Sequence, residues 1–197
     1  MTEDRLSQIV QFCKLIDKEK FVQRRTYLSD GERLENDAEH AWHMAIMIYL
    51  LREYANEKID LAKTMMMALI HDIVEIDAGD TYAYDTAALA TQQEREAKAA
   101  QRIFGLLPED QREEMLALFQ EFEDYETPEA RFAHVLDNLQ PLMLNDSNNG
   151  GDWREHQVKR SQVYKRNART STGSETLWAY MEGLIQGNVE KGNIQDC

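Results

Sequence analysis

ALIHDIVEIDAGD, residues 68–80, runs from an apolar helical stretch straight into a histidine and an aspartate. Burying an ionisable side chain without a partner is strongly unfavourable, so His71 and Asp72 each require one. Adjacent residues on a helix point about 100° apart, so these two side chains converge only at the helix edge. Glu75 follows one turn later on the same face. The stretch therefore predicts a helix end that supplies polar groups to a shared site.

The composition is that of a folded helical protein with an acidic surface. The chain has 197 residues, of which 43% are hydrophobic and 29% charged, with three prolines and nine glycines. This length suffices for one domain with a full core. The 22 basic and 36 acidic residues give a net charge of −14, which repels nucleic-acid backbones and anionic lipid. We therefore expect no nucleic-acid polymer and no membrane as partner, but a small anionic substrate remains compatible with a local positive site.

The cysteines and the first residues indicate the cytoplasm. Cys13 and Cys197 form no CxxC pair and suggest no disulfide framework. The first ten residues, MTEDRLSQIV, are acidic where a signal peptide would be basic and then apolar. No stretch approaches the roughly 20 apolar residues that a membrane span requires. A cytoplasmic location is the resulting expectation.

Helical periodicity and helix-capping residues recur along the chain, and no segment has a convincing strand pattern. The segments QRRTYLSDGERLEN at 23–36, DTYAYDTAALA at 80–90 and NDSNNGGD at 145–152 are predicted to be irregular, with a turn at SDG. The predicted architecture is an all-α bundle. Helices are predicted over about 5–20, 36–54, 60–79, 88–104, 108–124 and 127–144, with two late helices from Asp152 and Ser174 to near Gly192.

Two more polar residues stand on apolar helices. His40 lies near the start of its predicted helix, and Asp137 lies within FAHVLDNLQPLML, residues 132–144. If these residues meet His71 and Asp72 in the fold, two imidazoles and two carboxylates from three helices would come together at one site. Such a mixed nitrogen and oxygen set with open coordination positions suits a divalent cation such as Mn, Fe, Co, Ni or Zn.

Each of these residues also has an ordinary explanation when it is taken alone. His71 could cap a helix end, and His40 could be a polar residue of a first helical turn. Asp137 could pair with Arg131 or His134. These explanations weaken when the set is considered together, because every member falls on or beside an apolar helix.

The order of these residues resembles the H…HD…D signature of HD-domain metal-dependent phosphohydrolases. The likeness runs from about Phe12 to the last helix. The prediction is one HD domain over 1–197, with a metal-site core at about 36–145 and carboxy-terminal helices at 152–192 packed on it. Three blocks look like the bacterial subgroup akin to 5′-deoxynucleotidases: ENDAEHAWHMA at 35–45, LIHDIVEIDAGD at 69–80 and ARFAHVLDNLQPLML at 130–144.

The resemblance implies hydrolysis of a phosphate ester, often a nucleoside monophosphate, with one divalent ion as cofactor (Mn, Co, Fe, Ni, Zn or Mg). In the deoxynucleotidase branch a glutamate three residues after the HD aspartate serves catalysis, and Glu75 occupies that position. A Gly-Asp pair that follows lies at the substrate, and Gly79-Asp80 matches it. The metal ligands implied by the resemblance are His40, His71, Asp72 and Asp137.

In the same branch an arginine ahead of the first ligand helix contacts the phosphate or nucleotide. Arg24 and Arg25 are therefore the predicted substrate-binding residues. Lys159 and Arg160 are the residues to test next if neither binds the phosphate. This chain has RRTY at 24–27 where the branch has arginine and tryptophan, so nucleotide specificity stays open. The main prediction is a phosphomonoesterase acting on (deoxy)nucleoside 5′-monophosphates or a similar small phosphate ester. The alternatives are a nucleoside di- or triphosphate or alarmone hydrolase, a catalytically inactive metal-binding regulatory protein, and an iron-dependent oxygenase.

Some residues near these motifs allow two interpretations. His43 and His134 could enlarge the site to two metals, but their apolar neighbours favour packing or support of the ligands. The sequence GGDWREHQ, residues 150–157, could close over the substrate or begin a helix, and the helix is favoured. Helices on the outside of HD bundles often pair, so the resemblance also implies a possible homodimer.

Overall fold

Residues 4–196 are described in the computed structural model, and most of them are helical. The predicted all-α architecture is confirmed. Short 3₁₀ turns follow the first and second helices and precede the last, at Ile16–Phe21, Arg52–Tyr54 and Thr170–Thr172. The α-helices are α1 Arg5–Leu15, α2 Asp37–Leu51, α3 Leu61–Ile70, α4 Glu75–Ala78, α5 Thr86–Phe104, α6 Glu109–Asp124, α7 Pro128–Ser147, α8 Gly151–Glu155, α9 Arg160–Arg166 and α10 Glu175–Glu190.

Side-chain caps fix the starts of several helices at the predicted residues. Asn36 accepts a hydrogen bond from the backbone N–H of Glu39, whose carboxylate accepts one from the backbone N–H of Asn36. This reciprocal pair satisfies two of the N–H groups that a helix start leaves open. Asp60, Thr127 and Ser174 cap α3, α7 and α10 by accepting one backbone N–H each through the side chain. The local signals thus set where the three site-bearing segments enter the bundle.

The segment before α2 is a β-hairpin, so the prediction of no strand is wrong here. Strand β1, Gln23–Tyr27, pairs antiparallel with β2, Leu34–Asn36. The predicted turn is present, and Gly31 adopts the positive φ of 73° that glycine tolerates best. These short polar strands are held by backbone pairing, so no alternation of apolar residues announced them. The hairpin carries Arg24 to the bundle.

Several helix boundaries differ from the predictions. The helix region expected to continue to Gly79 is divided, since α3 ends at Ile70 and the short α4 starts at Glu75. Helix α5 starts at Thr86, inside the segment predicted as a loop. Helix α7 continues through Pro141 to Ser147 before Gly150 turns the chain with a φ of 72°. The region from 152 onward holds α8 and α9 where one helix was expected. Short helices with few apolar positions lack the periodicity that sequence reasoning requires.

Helix α7 forms the centre of the bundle and packs against α2, α3, α6 and α10. Phe132, Leu136 and Leu139 on this helix are essentially inaccessible to solvent. A second apolar cluster joins α5 and α6 to the chain that follows α3. Within residues 4–196, no helix combines the length and apolarity needed to cross a membrane. The first turns of α2, the end of α3 and the middle of α7, which carry His40, His71 and Asp137, meet beside the core.

Candidate active site

A cavity of about 340 Å³ opens where the hairpin approaches α3, α5, α7 and α9. This volume lies in the range of small-molecule binding sites. Its walls include the HD dipeptide at the end of α3 and Asp137 from the middle of α7. Both arginines of the hairpin, Arg24 and Arg25, also line it, so the structure brings most of the predicted site residues to one place.

Two histidines and two aspartates form a tight cluster at the bottom of this cavity. The distance from His40 Nε2 to Asp137 Oδ1 is 3.2 Å, and that from His71 Nε2 to the same oxygen is 3.8 Å. His71 Nε2 also lies 3.1 Å from Asp72 Oδ1. Ligand atoms of His40, His71 and Asp72 lie within 4.8 Å of one another, which is close enough to share one cation.

Hydrogen bonds outside the cluster orient both imidazoles. His40 Nδ1 lies 2.9 Å from Gln140 Oε1, and His71 Nδ1 lies 2.8 Å from the carbonyl of Ala68. Gln140 in turn donates to Glu35 at 2.6 Å. With Nδ1 engaged as a donor, each ring presents Nε2 toward the aspartates. This is the arrangement in which histidines bind metals in proteins.

The electrostatics of the cluster favour positive charge. Burial lowers the pKa of His71, but the carboxylates of Asp72 and Asp137 raise it by more, to about 9. Burial opposes ionisation of Asp137, yet its hydrogen bond to His40 and the nearby Arg166 hold the pKa of that carboxyl well below its usual range. The buried carboxylates thus stay ionised and draw protons onto the imidazoles. A divalent cation would replace those protons.

A second group of carboxylates lies beside the cluster. Glu75 begins α4, and its backbone N–H donates to the carbonyl of Asp72 at 2.9 Å, which keeps it one turn from the HD dipeptide. Asp80 follows Gly79, whose φ is 74°. Oxygens of Asp37, Glu75 and Asp80 lie within 4.8 Å of one another. Burial, reinforced by neighbouring acids, raises the pKa of Glu75 well above its usual range and that of Asp37 to about 8.

Asp37 was not among the predicted site residues. It is fully buried, and neither of its carboxylate oxygens has a hydrogen-bond partner. An acid in the first turn of a helix normally balances the helix dipole, so nothing in the sequence distinguished it. Buried carboxylate oxygens without a hydrogen bond require a proton or a nearby cation. Asp37 therefore enlarges the acidic half of the site.

The arginines supply the positive half. Arg24 Nη1 donates to Asp72 Oδ2 at 2.6 Å and lies 3.5 Å from Asp37 Oδ1. Arg25, its neighbour on β1, is exposed at the rim. Arg166 of α9 donates through Nη2 to Asp137 Oδ2 at 3.0 Å and was missed, because α9 itself was not predicted. The next predicted substrate-binding residues, Lys159 and Arg160, do not line the cavity. Arg160 instead pairs with Asp196.

The remaining histidines support or pack rather than face the cluster. His134 Nε2 lies 2.9 Å from the carbonyl of Phe122, and its ring stacks between Phe122 and Tyr125. Burial lowers its pKa to about 4, so it is neutral. His43 Nδ1 contacts Gln140, the residue that orients His40. These contacts favour the packing and supporting roles over a second pair of histidine ligands.

The alternative pairing of Asp137 with Arg131 is wrong. Arg131 extends away from the cluster to Glu57, with a nitrogen–oxygen distance of 2.9 Å. The alternative partner His134 reaches only 4.0 Å from Asp137. Asp137 instead bonds to His40 and Arg166, as described above.

The GGDWREHQ segment forms a helix and also reaches the cavity wall. Trp153 is buried and lines the cavity, and Asp152 lies beside it. The ring of His156 packs edge-on against Tyr82 at 4.7 Å, while Arg154 is exposed on the other side. The favoured interpretation, a helix start, agrees with α8. Asp152 and Trp153 also form part of the cavity wall.

A helical bundle in which two histidines and two aspartates meet beside one polar cavity defines a protein built around a metal site. The chain belongs to the HD domain family, which matches residues 16–178. The family resemblance carried by the H…HD…D order is therefore confirmed.

Known proteins agree with this assignment. A crystal structure of a predicted metal-dependent phosphohydrolase from Magnetospirillum magnetotacticum MS-1 superposes with a TM-score of 0.92 at 49% identity, covering 96% of this chain and 95% of that one. The 5′-deoxynucleotidase HDDC2 of Homo sapiens is 29% identical over 136 residues, which are 68% of this chain and 65% of that protein. The Danio rerio 5′-deoxynucleotidase HDDC2 is 30% identical, over 70% of this chain and 68% of its own. The chain thus spans slightly less than two thirds of the human relative.

Proposed function

We propose that this protein is a divalent-metal-dependent phosphomonoesterase that hydrolyses nucleoside 5′-monophosphates, with deoxynucleotides as the preferred class. The observation that carries the proposal is the convergence of His40, His71, Asp72 and Asp137 beside Arg24, with His40 buried directly behind the three residues that line the cavity. The Magnetospirillum structure and the deoxynucleotidases of animals support the same reaction class. A cation and an arginine placed side by side are what a phosphate ester requires.

The four residues of the cluster fit a divalent ion. They offer two imidazole nitrogens already oriented by Gln140 and Ala68, and two carboxylates held in the ionised state. When bound, such an ion polarises a phosphoryl oxygen and lowers the pKa of water. Nitrogen and oxygen ligands together suit Mn, Co, Fe, Ni or Zn, and carboxylates suit Mg. The ligand set predicted from the sequence is thus our proposed ligand set.

Glu75 is the proposed general base. It lies on the ligand side of the cavity, one turn from Asp72, and burial together with the adjacent acids raises its pKa. A divalent cation bound beside it would favour the ionised carboxylate, which is the form that accepts a proton from an attacking water. Asp80 lines the same cavity and is proposed to orient the substrate sugar or the water through its carboxylate. Arg24 is proposed to neutralise the phosphate.

The distribution of charge favours a monophosphate over a di- or triphosphate. Within residues 4–196, the cavity is lined by three arginines and no lysine. A polyphosphate tail adds negative charge, and the lining carboxylates, which outnumber these arginines, would repel it. The lining carboxylates are Asp72, Glu75, Asp80, Glu96, Glu123, Asp137 and Asp152.

The two remaining alternatives find less support. An inactive regulatory protein has no use for buried acids that lack hydrogen bonds beside its metal site. Both carboxylate oxygens of Asp37 and Oε2 of Glu75 lack a hydrogen-bond partner. An iron-dependent oxygenase usually needs more histidine ligands, and among residues 4–196 His40 and His71 are the histidines of the cluster. Metal analysis together with phosphatase assays distinguishes these alternatives from the proposed reaction.

The deciding experiment is hydrolysis of a panel of nucleoside mono-, di- and triphosphates and ribo- and deoxyribonucleotides, each with Mn, Co, Mg, Zn or no metal. We expect release of inorganic phosphate from deoxynucleoside monophosphates, dependent on added metal. Asp137→Asn, which keeps the size of the side chain, should be inactive on the whole panel. Preferential hydrolysis of triphosphates, or activity that survives full chelation, would contradict the proposal.

A homodimer and a cytoplasmic location also stay predictions. Helix α2 exposes a stripe of large apolar side chains, Trp42, Ile46, Tyr49 and Leu50, at helical spacing. In a chain with a net charge of −14, a face without acidic side chains among these four residues, and with Arg52 over the Tyr49 ring, is where a second copy can approach with little repulsion. Light scattering should give twice the chain mass, and Trp42→Glu should give monomers. Tyr180→Glu, at an exposed apolar residue of α10, is the matched control.

A further inference from the structure

Arg166 approaches the cluster from an element that the sequence did not reveal. Its Nη2 donates to Asp137 Oδ2 at 3.0 Å, while the other oxygen of Asp137, Oδ1, faces His40 Nε2 at 3.2 Å. Arg24 has the same relation to the other aspartate, with Nη1 at 2.6 Å from Asp72 Oδ2. Each aspartate of the cluster thus has an arginine of its own, one from β1 and one from α9.

The backbone beneath Arg166 is firmly held. Val163, one turn earlier, is fully buried, and Asn167, the next residue, is buried with its side-chain amide donating to the carbonyl of Val163 at 2.8 Å. The Arg166 side chain is nevertheless 41% exposed. A guanidinium has five N–H donors, and the hydrogen bond to Asp137 occupies one of them. Its other donors remain for a ligand in the cavity.

We propose that Arg166 is a second phosphate-binding residue, so that the phosphate of the substrate is held between Arg24 and Arg166 above the cluster. This inference rests on the proposed phosphomonoesterase function. A phosphate monoester carries nearly two negative charges near neutral pH and has three terminal oxygens, more than one guanidinium can satisfy. In a cavity rich in carboxylates a second guanidinium offsets the repulsion of the anion.

The same helix supplies a matched control. Arg160 also belongs to α9, is 46% exposed, and pairs with one aspartate, Asp196, at 3.0 Å. It resembles Arg166 in exposure and pairing but does not line the cavity. A general effect of removing a positive charge from α9 would therefore appear in both Arg160→Gln and Arg166→Gln. An effect on the bound phosphate would appear only in Arg166→Gln.

The experiment measures binding of inorganic phosphate to Mn²⁺-loaded protein by calorimetry, after Mn²⁺ affinity has been measured in phosphate-free buffer. We expect Arg166→Gln to weaken phosphate binding by about 10- to 100-fold, the loss expected for one hydrogen bond to a charged group. Its Mn²⁺ affinity should stay within about threefold of that of the unaltered protein. Arg166→Lys should recover part of the phosphate affinity, because it keeps the charge but loses the planar fork. Arg160→Gln should bind phosphate normally.

Equal phosphate affinity in Arg166→Gln and the unaltered protein would overturn the inference. So would loss of Mn²⁺ from Arg166→Gln, since Arg166 would then be a positioning residue for Asp137. The proposed function is tested separately by the nucleotide panel. If no nucleotide is hydrolysed, the function fails, yet phosphate binding that depends on Arg166 and not on Arg160 still supports the second phosphate contact.

Discussion

Arg24 Nη1 lies 2.6 Å from Asp72 Oδ2, and the arginine side chain is only 13% exposed. This ion pair joins the hairpin to the HD dipeptide, so a segment outside the helical bundle completes the site. Removing one partner of a buried pair leaves the other charge uncompensated. The pair therefore makes Arg24 sensitive to substitution in a way that exposed Arg25 is not.

The first prediction compares these two arginines. Arg24→Gln should lower kcat/KM for a nucleoside monophosphate, because a charged contact to the phosphate is lost. The corresponding loss in transition-state binding should be about 2–4 kcal/mol. Arg25→Gln, at the neighbouring exposed residue, should have a much smaller effect. Steady-state kinetics with metal analysis of both variants checks the expectation. Equal losses in the two variants, or none in Arg24→Gln, would place the phosphate elsewhere.

The second prediction concerns the metal ligands. His71→Ala should bind metal much more weakly and lose activity, because one of the two proposed imidazole ligands is removed. His134→Ala should keep the metal, since its ring stacks on Phe122 and Tyr125, but lose about 1–3 kcal/mol of unfolding free energy. Elemental analysis and urea unfolding of the two variants separate these outcomes. Full metal occupancy in His71→Ala would refute the ligand assignment.

The third prediction separates catalysis from metal binding at Glu75. Glu75→Gln should lower kcat by about 10²–10⁴, the usual effect of removing a general base, with the metal of the histidine–aspartate cluster retained. Asp77→Asn is the control, because Asp77 lies on the same short helix but pairs with Arg102 outside the cavity. Measuring kcat and metal content on one preparation gives both readouts. Loss of that metal in Glu75→Gln would make Glu75 a ligand instead.

The sequence predicted the parts of the site that lie on strongly patterned helices. Asn36 and Asp60 cap their helices as expected, and these starts place His40 and the HD dipeptide in position. Asp137 stood out because an acid within an apolar helix requires a partner. Each of these signals is local, so it could be read without knowledge of the tertiary fold.

The residues that were missed depend on tertiary contacts. The hairpin is polar and short, so only its backbone pairing defines it. Arg24 was predicted at the site, but its contact with Asp72 depends on where this hairpin packs. Arg166 reaches Asp137 from a seven-residue helix whose single buried residue is Val163. Asp37 looks like any acid at a helix start until its burial is known. Spacing along the chain carries no information about such contacts between distant segments.

The last prediction concerns the pH dependence of stability at Glu96, a buried acid of the cavity wall on α5. Burial raises the pKa of Glu96 from 4.5 to about 7, although a hydrogen bond from Gln92 opposes the shift. Between these values the folded chain keeps a proton that the unfolded chain has released. The unfolding free energy therefore falls as the pH rises through this window, by up to about 2–3 kcal/mol for this group.

Glu96→Gln removes this ionisation while keeping the size of the side chain and an oxygen that can accept from Gln92. The variant should gain stability relative to the unaltered protein as the pH is raised from 5 to 8, by an amount approaching that 2–3 kcal/mol. Glu94→Gln, at an exposed acid two residues earlier on α5, should show no such change. Urea unfolding of the three proteins at both pH values measures the differences. If the difference between Glu96→Gln and the unaltered protein is the same at pH 5 and pH 8, Glu96 is ionised in the folded protein and its burial does not hold a proton.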